Sequence, residues 1–257
     1  MTDELRGRTA LVTGAGRGIG QAIAVALASA GVQVALVARD RDQLERTAQL
    51  VQDAGGTSHV VAADLGDLAA VSSVVADVVD AFGGVDILVN NAATVEPLSH
   101  TSQLAAADVE AALRLNVAAP ILLAAAVMNP MRDRGWGRIV NLSSGVAARP
   151  SAMVGATVYA ATKGAIEAHT LNLAAELDGT GVTVNAYRPG MVDTGMQASL
   201  RGADPREAGD RIVRGFSRAY DEGRLLTAEH SAGVLLAHLL ADASTGNVWD
   251  VAHPPAE

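Results

Sequence analysis

Short aliphatic runs recur along the chain, nearly every one followed by a longer amphipathic stretch. This alternation limits the possible folds more than any other feature. The runs at 9–13, 32–38, 58–62, 87–90, 138–142 and 183–187 are apolar nearly throughout, and a shorter one lies at 247–251. Strands buried on both faces read this way. The stretches 19–30, 40–54, 67–82, 108–128, 159–177 and 228–240 read as helices. In 67–82 the apolar positions Val71, Val74, Val75, Val78 and Val79 keep a helical period. Pro120 is expected to kink the helix at 108–128. The pattern predicts an α/β fold: a single doubly wound domain over 1–257, with a seven-stranded parallel sheet flanked by helices on both faces. No Pro/Ser-rich linker or change of composition divides the chain.

Charge narrows the partners. Acidic residues number 28 against 19 basic ones, a net charge of -9. No general attraction for nucleic acid or an anionic membrane surface is expected from that balance. No apolar run reaches the roughly 18 residues of a membrane span. The nearest, 22–38, is broken by Ser29, Gly31 and Gln33. The acidic start Met1-Thr2-Asp3-Glu4 does not read as a signal peptide. The chain has no cysteine, so disulfides, thiolate metal sites and thiol nucleophiles are all excluded. The six histidines are scattered, and no metal site is expected. A reducing cytoplasm suits this chemistry. Among the basic residues Lys163 is the only lysine.

After the first run comes Thr13-Gly14-Ala15-Gly16-Arg17-Gly18-Ile19-Gly20, where a helix is expected to begin. Glycines permit a tight turn and a close backbone approach. The helix start adds free N–H groups and the positive end of a dipole. A strand, a glycine turn and a helix in this order point to a dinucleotide pyrophosphate.

A second pattern carries acid–base chemistry. Tyr159 and Lys163 stand four residues apart in a predicted helix and so share a face. A free phenol titrates near 10. An ammonium about 4 Å away, at an effective dielectric of about 20, favours the phenolate by on the order of 4 kcal/mol before desolvation.

With both patterns in place, the chain resembles the short-chain dehydrogenase/reductase family. It is most similar to the short, single-domain branch of 3-oxoacyl carrier-protein reductase-like members. That branch carries T-G-x-x-x-G-x-G, matched in full by Thr13 to Gly20. The resemblance runs from Leu11 to about Val251 and implies a Rossmann-type domain. It implies cofactor contacts from Gly14, Gly16, Arg17, Gly18, Ile19 and Gly20. It also implies contacts from Asp64 and Leu65 after the third run, from Asn91 and Ala92 in Asn90-Asn91-Ala92-Ala93, and from Tyr159 and Lys163. Pro189, Gly190, Val192 and Thr194 would fix the nicotinamide. Ala93 stands where the family has glycine.

NAD-preferring members carry an acid at the position matched by Ala38. Here Arg39 follows it and Arg17 lies in the glycine loop, so NADP(H) is favoured over NAD(H). Alternatively Asp40 does the ribose work for NAD.

The resemblance also implies four catalytic residues. Tyr159 would be the general acid/base. Ser144, the second serine of Ser143-Ser144, would hold the reacting oxygen. Lys163 would lower the tyrosine pKa and bind ribose. Asn116 would hold a relay water. The expected activity is interconversion of a small-molecule carbonyl and a secondary alcohol. The alternatives are an NAD-dependent alcohol dehydrogenase of the same fold and a non-catalytic NADP(H)-binding regulator. Members commonly assemble as homo-oligomers, tetramers or dimers, through the helices around Asn116 and Tyr159. The stretch between Ser144 and Tyr159 is about two residues longer than usual, with the extra length within 149–157, at the pocket mouth. Residues 191–224, with Arg201, Arg206, Arg211, Arg214, Arg218 and Arg224, are expected to form a substrate lid. Those arginines would suit an anionic substrate or belong to an exposed helix of alternating charge.

Overall fold

The computed structural model describes residues 4–241 and 243–255. Residues 1–3 and 256–257 of the expected 1–257 unit lie outside the described residues. Strands β1 (Thr9–Thr13), β2 (Gln33–Ala38), β3 (Thr57–Ala62), β4 (Ile87–Asn90), β5 (Gly137–Leu142), β6 (Val182–Arg188) and β7 (Val248–Asp250) form one sheet. Its order is β3-β2-β1-β4-β5-β6-β7, and every pairing is parallel. This is the seven-stranded parallel sheet expected from the apolar runs.

Strand alternation sends side chains into two cores. On β1, Ala10 and Val12 face one layer while Leu11 faces the other. The first layer is packed by α1 (Gly18–Ser29), α2 (Arg41–Asp53) and α11 (Ala228–Ala241). The second is packed by α3 (Ala70–Phe82), α5 (Ala119–Asp133) and α7 (Thr157–Glu176). Leu11, Leu36, Leu88 and Ile139 are fully buried. Each contributes about 1.5–3 kcal/mol by leaving water. The order of strands reverses direction between β1 and β4, which opens a crevice at their carboxyl ends.

Two stretches differ from expectation. The helix at 108–128 is α4 (Ala106–Leu113), a π-turn at Arg114–Ala118, and then α5. Pro120 falls in the first turn of α5, where its missing N–H is tolerated, and a second proline, Pro130, lies inside it. An 18-residue window of the Ala106–Asp133 run has a mean hydropathy of 1.8, so the run is long and apolar enough to cross a membrane, a candidate that the apolar-run test above missed. Its Ala119, Leu123, Ala124, Val127 and Met131 nevertheless lie in the core of the sheet domain.

The polar stretch after Asp193 is helical: α8 (Gly195–Gly202), α9 (Pro205–Ala208) and α10 (Asp210–Asp221). Most of its arginines are paired with acids. Arg201 lies 3.6 Å from Asp193, Arg214 2.8 Å from Asp210, and Arg218 and Arg224 each 2.6 Å from Glu222. The Arg211 side chain lies outside the described residues. This pairing agrees with a solvated face of alternating charge. One more short helix, α6 (Gly145–Ala148), precedes a 3-10 turn at Pro150–Ala152 within the long stretch before Tyr159.

Candidate active site

The glycine loop is tied to the end of β4. Thr13 Oγ1 accepts hydrogen bonds from the N–H groups of Asn91 (2.9 Å) and Ala92 (3.0 Å), and donates to the Val89 carbonyl (3.3 Å). Asn91 Nδ2 donates to the carbonyls of Thr13 (2.8 Å) and Gly14 (3.3 Å). The glycines follow from this crowding. A Cβ on Gly14, whose φ is +65°, would lie 2.7 Å from Asn91 Nδ2, and one on Gly20 would collide with the Gly14 carbonyl. Helix α1 then begins with Arg17 as an extended N-cap and no side-chain cap on its first N–H groups. Gly18, at φ +58°, packs against Thr194, so the loop after β6 closes over the glycine loop.

A cleft of about 370 Å³ results. It is lined by twelve of the expected cofactor residues: Gly14, Gly16, Arg17, Gly18, Ile19 and Gly20 at one end, with Arg39, Asp64, Leu65, Asn91, Ala92 and Thr194 around it. Val37, Ala38, Asp40, Gln43, Ala63, Ala93, Leu115, Gly195 and Met196 line it as well. Of these, Gln43 comes from α2 across the layer, a contact that no local motif signals. Uncapped helix N–H groups, a cradle that side chains would fill and two exposed arginines fit a dinucleotide carrying an additional phosphate. Asp40 is engaged elsewhere. It caps α2, accepting from Gln43 N (3.0 Å) and Gln43 Nε2 (2.8 Å). Arg17 and Arg39 are exposed at the cleft, and neither has an ion pair among the described residues. Asp64 accepts from the Gly66 N–H (2.9 Å), which shapes the turn after β3. Ala93 costs no strain, because no described residue other than glycine has a positive φ.

Pro189, Gly190 and Val192 lie beside this cleft and do not line it. Ser231 Oγ donates to the Pro189 carbonyl (3.0 Å), and Gly190 has φ +80°. Leu226 N donates to the Met191 carbonyl and Asp193 N to the Leu226 carbonyl. In such a parallel bridge Val192 turns its own N–H and C=O away from Leu226.

The four expected catalytic residues are placed by β5, α7 and the π-turn. Ser144 follows β5 as the N-cap of α6, with its hydroxyl beside the Tyr159 phenol. Tyr159, 7% exposed, and Lys163, 4% exposed, lie on one face of α7. Burial pushes the Tyr159 phenol above its ordinary value, and the neighbouring Ser144 hydroxyl opposes that push. Burial pulls Lys163 down to about 8. The expected direct pull of Lys163 on the phenol is not what this geometry shows. Its Nζ donates to the Leu142 carbonyl (2.6 Å) and stands 5.6 Å from the Tyr159 ring centroid. This main-chain acceptor holds the ammonium.

Asn116 lies in the π-turn and is buried. Its Oδ1 accepts from Thr94 N (2.8 Å), and its Nδ2 donates to the Thr94 carbonyl (2.8 Å) and to Thr162 Oγ1 (3.2 Å). The side chain is therefore committed, which differs from the expected water-holding role. Pro120 has no N–H for the Asn116 carbonyl four residues earlier. That main-chain oxygen therefore lacks its usual α-helical donor.

One cluster was absent from the sequence reading. Glu167 accepts from Arg188 Nε and Nη2, both at 2.8 Å, and from Ser143 Oγ at 2.6 Å. It clasps the ends of β5 and β6 to α7. Its place four residues after Lys163 put it on the catalytic face and was the available signal. Glu167→Gln removes one partner of a largely desolvated pair, so a stability loss of about 2 kcal/mol is expected. Thermal unfolding checks this, and an unchanged midpoint would show that the clasp carries no stability.

The comparisons with known proteins agree with this fold. The family model described as short chain dehydrogenase matches residues 8–205. A short-chain reductase protein, NovJ of Streptomyces niveus, is 38% identical over 229 residues, covering 88% of this chain and 85% of its own. A solved 3-oxoacyl (acyl-carrier-protein) reductase from Agrobacterium tumefaciens, with NADP bound, superposes with a TM-score of 0.81 at 32% identity, covering 96% of this chain and 93% of its own. A 3-ketoacyl-(acyl-carrier-protein) reductase from Brucella melitensis, complexed with NADH, gives 0.83 at 29% identity, covering 96% and 97%.

Proposed function

Because this chain belongs to the short-chain dehydrogenase family, an oxidoreductase family acting on CH–OH groups, we propose that it interconverts a carbonyl and a secondary alcohol with NADP(H) favoured over NAD(H). The observation that carries the reading is the Ser144–Tyr159–Lys163 cluster at the carboxyl end of β5, beside a cleft that displays Arg17 and Arg39.

The nicotinamide, when bound, supplies the hydride in reduction and takes it back in oxidation. Tyr159 then donates its phenolic proton to the carbonyl oxygen, or accepts one from the alcohol. Ser144 holds that oxygen and, from beside the phenol, sets the direction of the proton. Lys163 would hold the ribose hydroxyls of a bound cofactor, and it keeps a positive charge near the phenol. The Asn116 main-chain carbonyl holds the water through which the proton is replaced. The protein's own contribution is orientation and a buried, preorganised set of donors.

Exposed Leu113, Ile121, Leu122 and Leu171 stand on α4, α5 and α7, each of which packs against the π-turn that holds Asn116. They support a homo-oligomer whose second copy covers them.

Turnover of a carbonyl panel with each cofactor tests the activity. Binding of NADPH with no turnover on any member favours a regulatory protein instead. The cofactor preference has its own test. Each charge-assisted bond to a phosphate is worth about 1.5–3 kcal/mol. Arg39→Ala is therefore expected to lower kcat/KM with NADPH by about 10- to 100-fold and to leave NADH nearly unchanged. Equal losses with both cofactors would remove Arg39 from phosphate recognition.

A further inference from the structure

Resting on that oxidoreductase reading, we infer that the substrate is an uncharged carbonyl compound or alcohol with a mainly apolar body, enclosed against Tyr159 by α8–α10 acting as a lid. The dinucleotide cleft does not include Tyr159. The tyrosine belongs instead to a third apolar cluster with Val95, Leu98, Val146, Leu200 and Ile212, and Phe216 packs against it. These residues come from three places: the loop after β4, the start of α6, and the helices α8 and α10.

The charge of 193–224 stays outside. Among the described residues, α8–α10 bury Gln197, Leu200, Ala208, Ile212 and Ala219. That set is one neutral amide and no charge. Of the arginines that first pointed to an anionic substrate, Arg201, Arg214, Arg218 and Arg224 are paired with Asp193, Asp210 and Glu222. The buried ammonium of Lys163 is already held at the Leu142 carbonyl. A carboxylate or phosphate brought to Tyr159 would lose its water against an apolar cluster that contains no charged side chain among the described residues. A polyol meets a related difficulty. Each hydroxyl needs a partner when buried, and the buried lid atoms without a hydrogen bond among the described residues are Gln197 Oε1 and Arg201 Nη1, the latter 3.6 Å from Asp193. The site therefore selects a ligand with one or two polar atoms on an apolar frame.

The lid is seated by backbone. Gly155, at φ +102°, comes so close to α9 that a Cβ there would collide with the Ala208 carbonyl. Gly209 follows at φ +87° and faces the Val154 carbonyl. The long stretch before Tyr159 is thus the lid's resting place, and with Tyr159 only 7% exposed, entry needs these two to part.

The test uses the full-length protein with NADPH. Methyl hexyl ketone is compared with the same chain ending in a carboxylate, cyclohexanone with its ring-carboxylated analogue, and both ketones with fructose. The uncharged ketones are expected to exceed their carboxylated partners, and fructose, by about tenfold or more in kcat/KM. A carboxylated ketone or fructose turned over as well as the plain ketones overturns the substrate class and leaves the oxidoreductase reading standing. Reduction of none of them, with NADPH binding intact, removes that reading and this inference together.

Discussion

Tyr159→Phe is expected to lower kcat/KM for NADPH-dependent carbonyl reduction by about three orders of magnitude while the fold and the NADPH affinity survive. The argument is local. The ring is 7% exposed and fills an apolar cluster between the α6 start and α8–α10, and phenylalanine keeps that volume. The deleted hydroxyl is the phenolic proton donor beside Ser144. Its loss costs at most one hydrogen bond, about 1 kcal/mol. Ser144 keeps its own cap bond from Val146 N (3.4 Å), so the end of β5 stays in place. Steady-state rates together with NADPH titration read the two effects separately. Near-normal reduction by the variant would take the proton transfer away from Tyr159.

Lys163→Arg, although it conserves charge, is expected to lose about 100-fold or more. Lys163 is 4% exposed and its ammonium sits 2.6 Å from the Leu142 carbonyl. A guanidinium is planar, bulkier and fixed in its donor directions, so it meets a phenol and a ribose differently from a compact ammonium. The pH profile separates this from simple damage. Burial pulls Lys163 down to about 8, so the group is an ammonium below that pH and a neutral amine above it. Reduction by the native protein should therefore decline as pH rises through that range. Arginine stays charged there, so the slower variant should lack this limb. If its profile keeps the native decline, another group is responsible.

The sheet was legible because strands buried on both faces leave little room for polar residues. Each of the seven expected runs overlaps an observed strand within a residue or two at either end. The glycine loop was legible for a related reason: backbone against backbone excludes side chains, as the Gly14–Gly20 contact shows. Other features were hidden by physics that periodicity does not record. Hydropathy gives no signal for a π-turn, so 108–128 read as one helix. The clue was Pro120, with no N–H for the Asn116 carbonyl. In 193–224 arginines and acids mask short helices whose apolar positions are few. The Glu167 clasp joins residues from β5, β6 and α7, and its Arg188 read only as the start of a Pro-Gly turn. Lys163 was placed on the right face. Its present partner, a main-chain oxygen of β5, belongs to tertiary packing.

The wide turn at Arg114–Ala118 also bears on how this chain can evolve. A π-turn holds one residue more than a regular α-helical turn. Each residue advances an α-helix by about 100°. Deleting a single residue here would close the turn and swing α4 around the axis by that amount relative to α5. Ala112, now facing inward, would leave its place, and Asn116 would lose register with Thr94 and Thr162. Identity at many positions of the segment can drift, because a different side chain leaves the phase intact. Length cannot. The inherited quantity at this point of the chain is a residue count.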